Sequence, residues 1–303
     1  MKKEIKTLLR DKMLEDENNK KSKDSFWASE SETNVFDIYH RWMGTLPTNP
    51  ITPENKLGLN VRKLVELGFV SELRELGILY EEEEEKQLRV ELEREGVKIT
   101  GYIDAIIEDK DGTDINFPAG QNLIPVEFKT SFGSYQKVEL DKGFPKTSYL
   151  KQLAIYMDGL DLKMGYLIQA HFKDNFIVDE IYQFPLVRED DGTFSSGAIR
   201  FDINDTYKKW ARLYRNNIIP KIEPKSEYVY KYPIDELDWT SLPSNKISNA
   251  RNNRAVIGDW QVTYSDYKNL IIEREGTVLG YTEDEIKRIQ EMTTGYTTKA
   301  FKK

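Results

Sequence analysis

Apolar positions in the first quarter of the chain follow the helical repeat. Residues 33–43 have the pattern of a short helix. A second helix is predicted to begin after Thr52, with Pro53 in its first turn, because the first turn of a helix tolerates proline. It is predicted to end near Gly68. The apolar side chains that recur at helical spacing along it are Leu57, Val61, Leu64 and Val65. Two helices are therefore expected before the first strand.

From residue 87 onward the spacing changes to the two-residue period of strands. QLRVELEREGVKITGYIDAIIED, residues 87–109, predicts a hairpin that turns at Glu95 and Gly96. The later predicted elements are a strand at 123–131, a helix at 146–160, strands at 164–172 and 175–185, and helices at 202–217 and 281–292. Thr282 and Glu285 form a capping box at the start of the last helix. This order indicates an α/β fold with a mixed central β-sheet flanked by helices.

The predicted domain organisation is one large domain between two charged ends. Residues 1–25 are interpreted as a charged helix or tail. Residues 26–280 are expected to form a single domain, with a core at 54–185 and a C-terminal elaboration at 186–280. Residues 281–303 complete the chain as a helix and tail. The hydrophobic content of 39% in 303 residues is enough for a sizeable core.

Composition excludes several kinds of site. The chain has no cysteine, which excludes disulfides, thiolate metal sites and a cysteine nucleophile, and which fits an intracellular, cytoplasmic protein. His40 and His171 are the only histidines, so a histidine-rich metal site is not expected. The first residues lack the apolar core of a secretory signal, and no apolar run has the length of a membrane span.

Charge is distributed unevenly along the chain. The net charge of −8 argues at first against a nucleic-acid partner. Residues 204–254, however, hold 10 basic and 6 acidic side chains, a local balance of +4. A locally basic surface can bind phosphates on an acidic protein, and a solvated helix face with a loop is the alternative interpretation.

Charged residues interrupt the apolar strand LIPVEFKTS. Glu127 and Lys129 point to one face of a strand, and Val126 and Phe128 point to the other. An ion pair on an edge strand is one explanation. Asp104, in the apolar segment GYIDAIIE, offers another, because two facing carboxylates repel unless a cation lies between them. Oxygen ligands without histidine or cysteine select Mg²⁺ or Mn²⁺.

Three short elements follow one another in an informative order. They are G-x-I-D at 101–104, P-V-E-F-K at 125–129 and Q-x-x-x-Y at 152–156. This set resembles the PD-(D/E)XK nuclease superfamily, and specifically its RecB-like exonuclease branch, which includes phage and CRISPR-associated adaptation nucleases. The resemblance implies a restriction-endonuclease-like core with helical additions at both ends.

The resemblance also implies roles for the residues in these elements. Asp104 and Glu127 would bind the metal together with the backbone carbonyl of Phe128, and Lys129 would help to activate water. Gln152 and Tyr156 would support the site or contact the DNA backbone. These five side chains, with the Phe128 carbonyl, form the expected catalytic group.

The implied activity is metal-dependent hydrolysis of DNA, with exonuclease action expected. The implied substrate is DNA with a free end or a single strand, in recombination, repair or the metabolism of phages and mobile elements. A recombination or replication protein is a candidate partner, and Lys151, Arg251 and Arg254 are candidate DNA-binding residues. Two alternatives remain: a catalytically silent nuclease fold that binds DNA or protein, and a restriction-type endonuclease.

The chain departs from the branch at its early helix. Many of these nucleases supply a histidine ligand there, but Arg62 stands in the equivalent stretch and cannot bind a cation. Glu66 and Glu54 are candidates to replace it, and His40 is expected to be a packed or capped histidine.

The C-terminal segment departs as well. GDWQVTYSDYKNLIIERE resembles the segment that closes an iron–sulfur cluster in the branch, with Val262, Ser265 and Ile271 near the thiolate positions. Without cysteine no such cluster can form. The residues expected to pack as apolar structure instead are Trp260, Tyr264, Tyr267, Leu270 and Ile271.

Overall fold

The chain divides into two compact units. The first comprises residues 1–33, 41–44 and 52–223, and the second comprises residues 34–40, 45–51 and 224–303. The computed structural model describes residues 4, 7, 12, 23–80, 87–110, 115–173, 177–227, 234–235, 238–239, 247–248, 251, 264–275 and 282–294.

The described residues form nine strands and seven α-helices. The strands are β1 (Phe26–Trp27), β2 (Arg89–Arg94), β3 (Val97–Tyr102), β4 (Ala105–Glu108), β5 (Leu123–Phe132), β6 (Met164–Phe172), β7 (Val178–Arg188), β8 (Phe194–Ser196) and β9 (Ile199–Phe201). The helices are α1 (Val35–Trp42), α2 (Pro53–Glu75), α3 (Ser134–Asp141), α4 (Thr147–Gly159), α5 (Asn204–Leu213), α6 (Lys268–Glu275) and α7 (Glu283–Met292). None of the helices in the described part of the chain is long and apolar enough to cross a membrane.

The first unit contains a six-stranded mixed sheet in the order β4-β5-β6-β7-β8-β9. Strands β5 and β6 are parallel, and the other neighbours are antiparallel. The predicted α/β class with a mixed central sheet is therefore confirmed. The predicted hairpin β2–β3 does form, but it pairs with β1 in a separate three-stranded sheet.

The two sheets separate at Ile103 and Asp104, between β3 and β4. The Ile103 amide donates to the Leu88 carbonyl at 3.0 Å, which completes the pairing beside β2. The Asp104 side chain instead accepts a hydrogen bond from the Phe128 amide of β5. The prediction that Asp104 lies inside a strand is therefore wrong, because this residue occupies the break between two sheets.

Helix α2 covers one face of the central sheet. The buried side chains of Ile124, Val126 and Phe128 belong to a cluster against which Phe69, Val70 and Leu73 of α2 pack. The rings of Phe69 and Phe128 stack with centroids 5.2 Å apart. These contacts come from the C-terminal part of a helix that continues past its predicted end.

The prediction for α2 is correct at its start and wrong at its end. The Thr52 hydroxyl accepts from the Asn55 amide at 3.2 Å, and Pro53 is the first helical residue. The helix passes through Gly68, because one glycine costs only about 1 kcal/mol and the residues that follow pack on the sheet. Leu57 and Leu64, predicted for the apolar face, are 54% and 66% exposed.

Helix α4 covers the opposite face of the sheet, and its bounds agree with the prediction. A Cβ atom built on Gly165 of β6 would lie 3.1 Å from side-chain atoms of Leu153 and Met157 and 3.2 Å from Pro125. Glycine at this position therefore lets α4 approach β5 and β6 closely. The odd-numbered residues of both strands face α4, and this is the face that carries Glu127.

The second unit contains a small apolar cluster of Phe36, Tyr267 and Ile271, with Leu270 packed against it. Burial of Tyr267 and Ile271 confirms part of the packing predicted for the C-terminal segment. The prediction is wrong for Tyr264, which is 76% exposed. Trp260 and Val262 lie outside the described residues. Ser265 occupies a position where a thiolate was considered, and its hydroxyl donates to Asp37 at 2.8 Å.

The last two predicted helices also form. Helix α7 has the predicted capping box: Thr282 accepts from the Glu285 amide at 3.2 Å, and its own amide donates to the Glu285 carboxylate at 2.8 Å. Helix α5 is shorter than predicted and continues as a π-helical turn over Tyr214–Ile218. Helix α3 and the β8–β9 hairpin were not predicted.

Candidate active site

The start of β4 brings two carboxylates together. Ala105 pairs with Val126, so Asp104, the residue just before β4, comes opposite Glu127 of β5. The Asp104 Oδ2 atom accepts from the Phe128 amide at 2.9 Å, and its Oδ1 accepts from Gln87 Nε2 at 3.3 Å. The two segments that carry these carboxylates are therefore neighbours.

The side of β5 that faces Asp104 also presents a backbone oxygen. The N–H and C=O groups of one strand residue point toward the same neighbouring strand, so the Phe128 carbonyl faces the Asp104 side with the Phe128 amide. The Ile103 amide, which would reach this carbonyl if β4 continued, donates to Leu88 instead. The carbonyl predicted as a metal ligand therefore faces the Asp104 side of β5, and its role as a ligand stays a prediction.

Glu127 is the most deeply buried charged group of the site. Its side chain is fully buried, and its Oε1 atom accepts a hydrogen bond from the Lys129 ammonium. No partner for Glu127 Oε2 occurs among the described residues. The Lys129 ammonium also lies 5.4 Å from the centroid of the Tyr149 ring. A buried carboxylate oxygen without a partner is energetically costly unless a water molecule or an ion satisfies it.

The pair does not lie at an edge of the sheet. Strand β5 is flanked by β4 and β6, so the alternative of an ion pair on an edge strand is wrong. Both charged side chains lie on the α4 face of a strand whose other face packs under α2.

Three carboxyl groups around the site have raised pKa values. Burial raises the pKa of Glu127 to about 8, and the charges of Asp104 and Glu66 contribute to the rise. Burial also raises the pKa of Asp104. The pKa of Glu66 is raised by burial and then by the charge of Asp104. The site therefore holds more potential negative charge than its own cations balance.

The pKa of Lys129 is raised too, but for a lysine this favours the charged form. Burial by itself lowers the pKa of Lys129, but the carboxylates of Glu127 and Asp104 together outweigh burial and raise it. The pKa of Lys129 is raised only if its carboxylate neighbours are ionised. The raised pKa of Glu127, in contrast, favours a neutral, protonated carboxyl group. When both groups are ionised, the direct hydrogen bond between them offsets part of the desolvation of each charge.

Helix α4 places the Q-x-x-x-Y pair over the same face. The Gln152 Nε2 atom donates to the Tyr156 hydroxyl at 2.9 Å, and both side chains are buried. Burial raises the pKa of Tyr156, and the negative charge of Glu127 raises it further. The Tyr156 hydroxyl is therefore neutral near the carboxylates.

Gly101 has a role that the sequence did not reveal. A Cβ atom built on it would lie 2.5 Å from Tyr156 Cε1 and 3.1 Å from the Ala28 Cβ. The glycine of G-x-I-D therefore makes room for the tyrosine of Q-x-x-x-Y. No local pattern links the two positions, because their contact depends on how α4 crosses the sheets.

Comparison with known proteins adds coarse similarities only. No protein-family model matches the chain, and no curated protein matches its sequence. Several solved structures are similar, among them the following two. One is the crystal structure of SSO0001, at 18% identity and a TM-score of 0.41, covering 75% of this chain and 91% of that one. The other is an exonuclease, LHK-Exo in complex with dAMP, at 12% identity and a TM-score of 0.39, covering 66% and 90%. TM-scores this low do not support any conclusion about the site.

The oxygen groups of the site fit a hard divalent cation. Asp104, Glu127 and the Phe128 carbonyl supply oxygen only, and one Glu127 oxygen lacks a protein partner among the described residues. This donor set suits Mg²⁺ or Mn²⁺. Within the described ranges no group of three or more His, Asp or Glu side chains is arranged so that it could hold a metal ion by itself. The absence of cysteine from the sequence leaves no thiolate for an iron–sulfur cluster.

The early helix offers Glu66 rather than Glu54 as a further ligand. Glu66 lies within the electrostatic influence of Asp104 and Lys129. Glu54 precedes it by twelve residues, which is about 18 Å along a helix. Arg62 lies over the ring of Phe132, 5.3 Å from its centroid. The assignment of Glu66 as a ligand stays a prediction.

The two histidines have structural partners. His40 Nδ1 lies 3.1 Å from the Thr45 hydroxyl, and its ring packs against Phe36 and Tyr267. The expected packed histidine is therefore confirmed. His171 Nδ1 lies 3.0 Å from the Ser131 hydroxyl inside the sheet.

The candidate DNA-binding residues differ in their surroundings. Lys151 is half-buried and pairs with Glu32 at 2.9 Å. Arg251 Nε donates to the Thr293 hydroxyl at 2.7 Å, and the same guanidinium also donates to the Thr293 carbonyl. Arg254 lies outside the described residues. DNA binding by all three stays a prediction.

Proposed function

We propose that the chain is a metal-dependent nuclease that hydrolyses phosphodiester bonds in DNA with Mg²⁺ or Mn²⁺. The observation that supports this most strongly is the buried Glu127, paired with Lys129 on one oxygen and without a partner among the described residues on the other. Asp104 stands opposite, and both carboxyl groups have raised pKa values. A bound cation would remove the cost of this arrangement.

Each residue has a role in this proposal. Asp104, Glu127 and the Phe128 carbonyl hold the cation, which when bound polarises the phosphate and makes water more acidic. Lys129 directs its ammonium at the attacking water and the phosphoryl oxygens, and it stabilises the negative charge that grows there. The Gln152 amide fixes the Tyr156 hydroxyl, and together they keep the α4 side of the site in place.

The finer assignments rest on the sequence resemblance. Exonuclease action on DNA ends, including single strands, is the activity that we propose. The context is recombination, repair or the metabolism of phages and mobile elements, with a recombination or replication protein as partner. Lys151, Arg251 and Arg254 are proposed to contact the DNA backbone.

A second candidate is a catalytically silent fold that binds DNA or protein. It is supported by the incomplete ligand set of the described residues and by Arg62, which stands where a ligand is expected in the branch. A buried and a half-buried carboxylate beside a lysine support the enzyme instead, because a binding surface has no need of them.

Cleavage of end-labelled DNA tests the proposal. Wild type is compared with Glu127→Gln and Lys129→Met on single- and double-stranded substrates, with Mg²⁺, Mn²⁺ or a chelator. Both variants should lose activity by about 10²-fold or more, as expected for groups that stabilise transition-state charge. Glu180→Gln and Lys142→Met, on exposed positions, serve as matched controls and should cleave like wild type.

The product pattern and cation binding complete this experiment. A single-nucleotide ladder from one end indicates an exonuclease, and discrete internal fragments indicate an endonuclease. Folded wild type that cleaves no substrate and binds no Mn²⁺ in calorimetry would contradict the proposal and favour the silent binding module.

A further inference from the structure

Gln169 lies directly beside Lys129 in the central sheet. Strands β5 and β6 are parallel, and their register pairs Lys129 with Gln169. Adjacent strands are about 4.8 Å apart, and the paired side chains both point to the α4 face. Gln169 is 1% exposed. Its Oε1 atom has no hydrogen-bond partner within the described part of the chain. An unsatisfied acceptor therefore lies one strand away from a buried ammonium.

The neighbouring polar groups on this face are already engaged. Ser131 and His171, the next pair on this face of the two strands, bond to each other at 3.0 Å. Tyr149 presents the face of its ring to Lys129. Apart from Glu127 Oε2, which would bind the proposed cation, Gln169 Oε1 is thus the buried side-chain oxygen on this face that lacks a donor among the described residues.

Lys129 needs a second acceptor if a cation engages both oxygens of Glu127, including the one that now accepts from the ammonium. The ammonium now donates to Glu127 Oε1, and its side chain is only 19% exposed. When both Glu127 oxygens engage a cation, the ammonium loses this partner in a poorly solvated place. A buried charge without a partner is strongly unfavourable, so another acceptor must replace the carboxylate.

We propose that Gln169 is a positioning residue for Lys129: its side-chain oxygen accepts a hydrogen bond from the Lys129 ammonium when Glu127 engages a cation. This inference rests on the proposed metal-dependent function and adds a residue to that site. A neutral amide suits the role, because it holds the ammonium without adding negative charge that would compete for the cation.

The first test observes the Lys129 ammonium by NMR in the whole protein with ¹⁵N-labelled lysine. The signal that Lys129→Met removes is assigned to Lys129. Buried, hydrogen-bonded ammonium groups exchange slowly with water, so the signal reports its partners. In wild type we expect it to persist when Mg²⁺ is added. In Gln169→Met, which keeps the length of the side chain but not the acceptor, it should persist without Mg²⁺ and be lost with it.

The second test measures kinetics. Gln169→Met should lower kcat about tenfold or more with KM within about twofold, as for other groups that orient a ligand or catalytic residue. Gln169→Glu retains an acceptor, so the Lys129 signal should persist with Mg²⁺, but its negative charge competes for the cation and only part of the activity should be recovered. In a Lys129→Met background, Gln169→Met should have no further effect, because the residue acts through Lys129. Gln183→Met, exposed on β7, is the matched control.

The outcomes separate this inference from the proposed function. It is overturned if Mg²⁺ leaves the Lys129 signal of Gln169→Met intact, or if the substitution lowers kcat equally with and without Lys129. If wild type binds Mg²⁺ but cleaves no DNA, the proposed function fails while the NMR comparison still decides the role of Gln169. If wild type binds no Mg²⁺, both fail.

Discussion

Removing both charges of the Glu127–Lys129 pair distinguishes a functional site from a structural ion pair. The double variant Glu127→Gln/Lys129→Met keeps the shapes of the two side chains and eliminates their charges. If the pair exists to hold a cation, the protein without a cation should gain stability when the pair is neutralised. If the pair supports the fold, stability should fall.

The structure gives the size of the expected gain. Glu127 is fully buried, and burial raises its pKa from 4.5 to about 8. At about 1.4 kcal/mol for each tenfold change in proton affinity, the ionised form is disfavoured by about 5 kcal/mol at most. Replacing buried ion pairs by neutral groups of similar volume is typically neutral or stabilising by about 1–4 kcal/mol. We expect a free energy of unfolding higher than that of wild type by about that range.

The pH dependence has a definite sign. An acid whose native pKa lies above its unfolded value stabilises the fold below the unfolded pKa, here 4.5, and this contribution is lost as pH rises through the native pKa, here about 8. Wild type should therefore lose stability between pH 5 and pH 9, and Lys129→Met should lose more. The slope is at most about 1.4 kcal/mol per pH unit. The double variant should lack this component.

The assay is urea unfolding at pH 5, 7 and 9 with a chelator present, followed by thermal unfolding with Mg²⁺. Mg²⁺ should stabilise wild type but not the double variant. The exposed pair of Glu91 and Lys98, 3.8 Å apart, provides the control, and its neutralisation should change stability by less than about 1 kcal/mol. A Glu127/Lys129 double variant less stable than wild type by more than about 2 kcal/mol at pH 7 would refute the reasoning.

Three further predictions concern packing, a polar network and pH. Gly101→Ala forces a Cβ against Tyr156 and should cost about 1–3 kcal/mol in urea unfolding and reduce DNA cleavage, whereas Gly58→Ala, with open space around it, should not destabilise. Asp158→Asn weakens the bonds from Arg94 at 2.9 Å and Tyr207 at 3.0 Å, so the melting temperature should fall by an amount equivalent to about 1–3 kcal/mol. Burial, then the charge of Arg274, lowers the pKa of His40 from 6.5 to about 4, so its contribution is complete above pH 6.5 and is lost as pH falls toward 4; His40→Leu should remove up to about 3 kcal/mol of that dependence, measured by urea unfolding at pH 7 and pH 4.5.

Local sequence patterns were sufficient for most elements near the site. The two-residue period identified β5, and it correctly assigned Glu127 and Lys129 to one face. Capping residues located the starts of α2 and α7. These features depend on residues within a few positions of one another, so the sequence carries them directly. The sequence did not locate the end of α2, because packing of Phe69 and Leu73 on the sheet extends the helix past Gly68.

The sequence by itself determined the chemistry available to the site: oxygen ligands, a lysine next to them, and no thiolate. Only the tertiary structure decided which groups meet. The break between sheets directs Asp104 at the Phe128 amide, the crossing of α4 makes Gly101 necessary for Tyr156, and the β5–β6 register places Gln169 beside Lys129. These neighbours are 24, 55 and 40 residues apart in the chain. No local period connects such positions, because strand register and helix crossing are set by the packing of the whole domain.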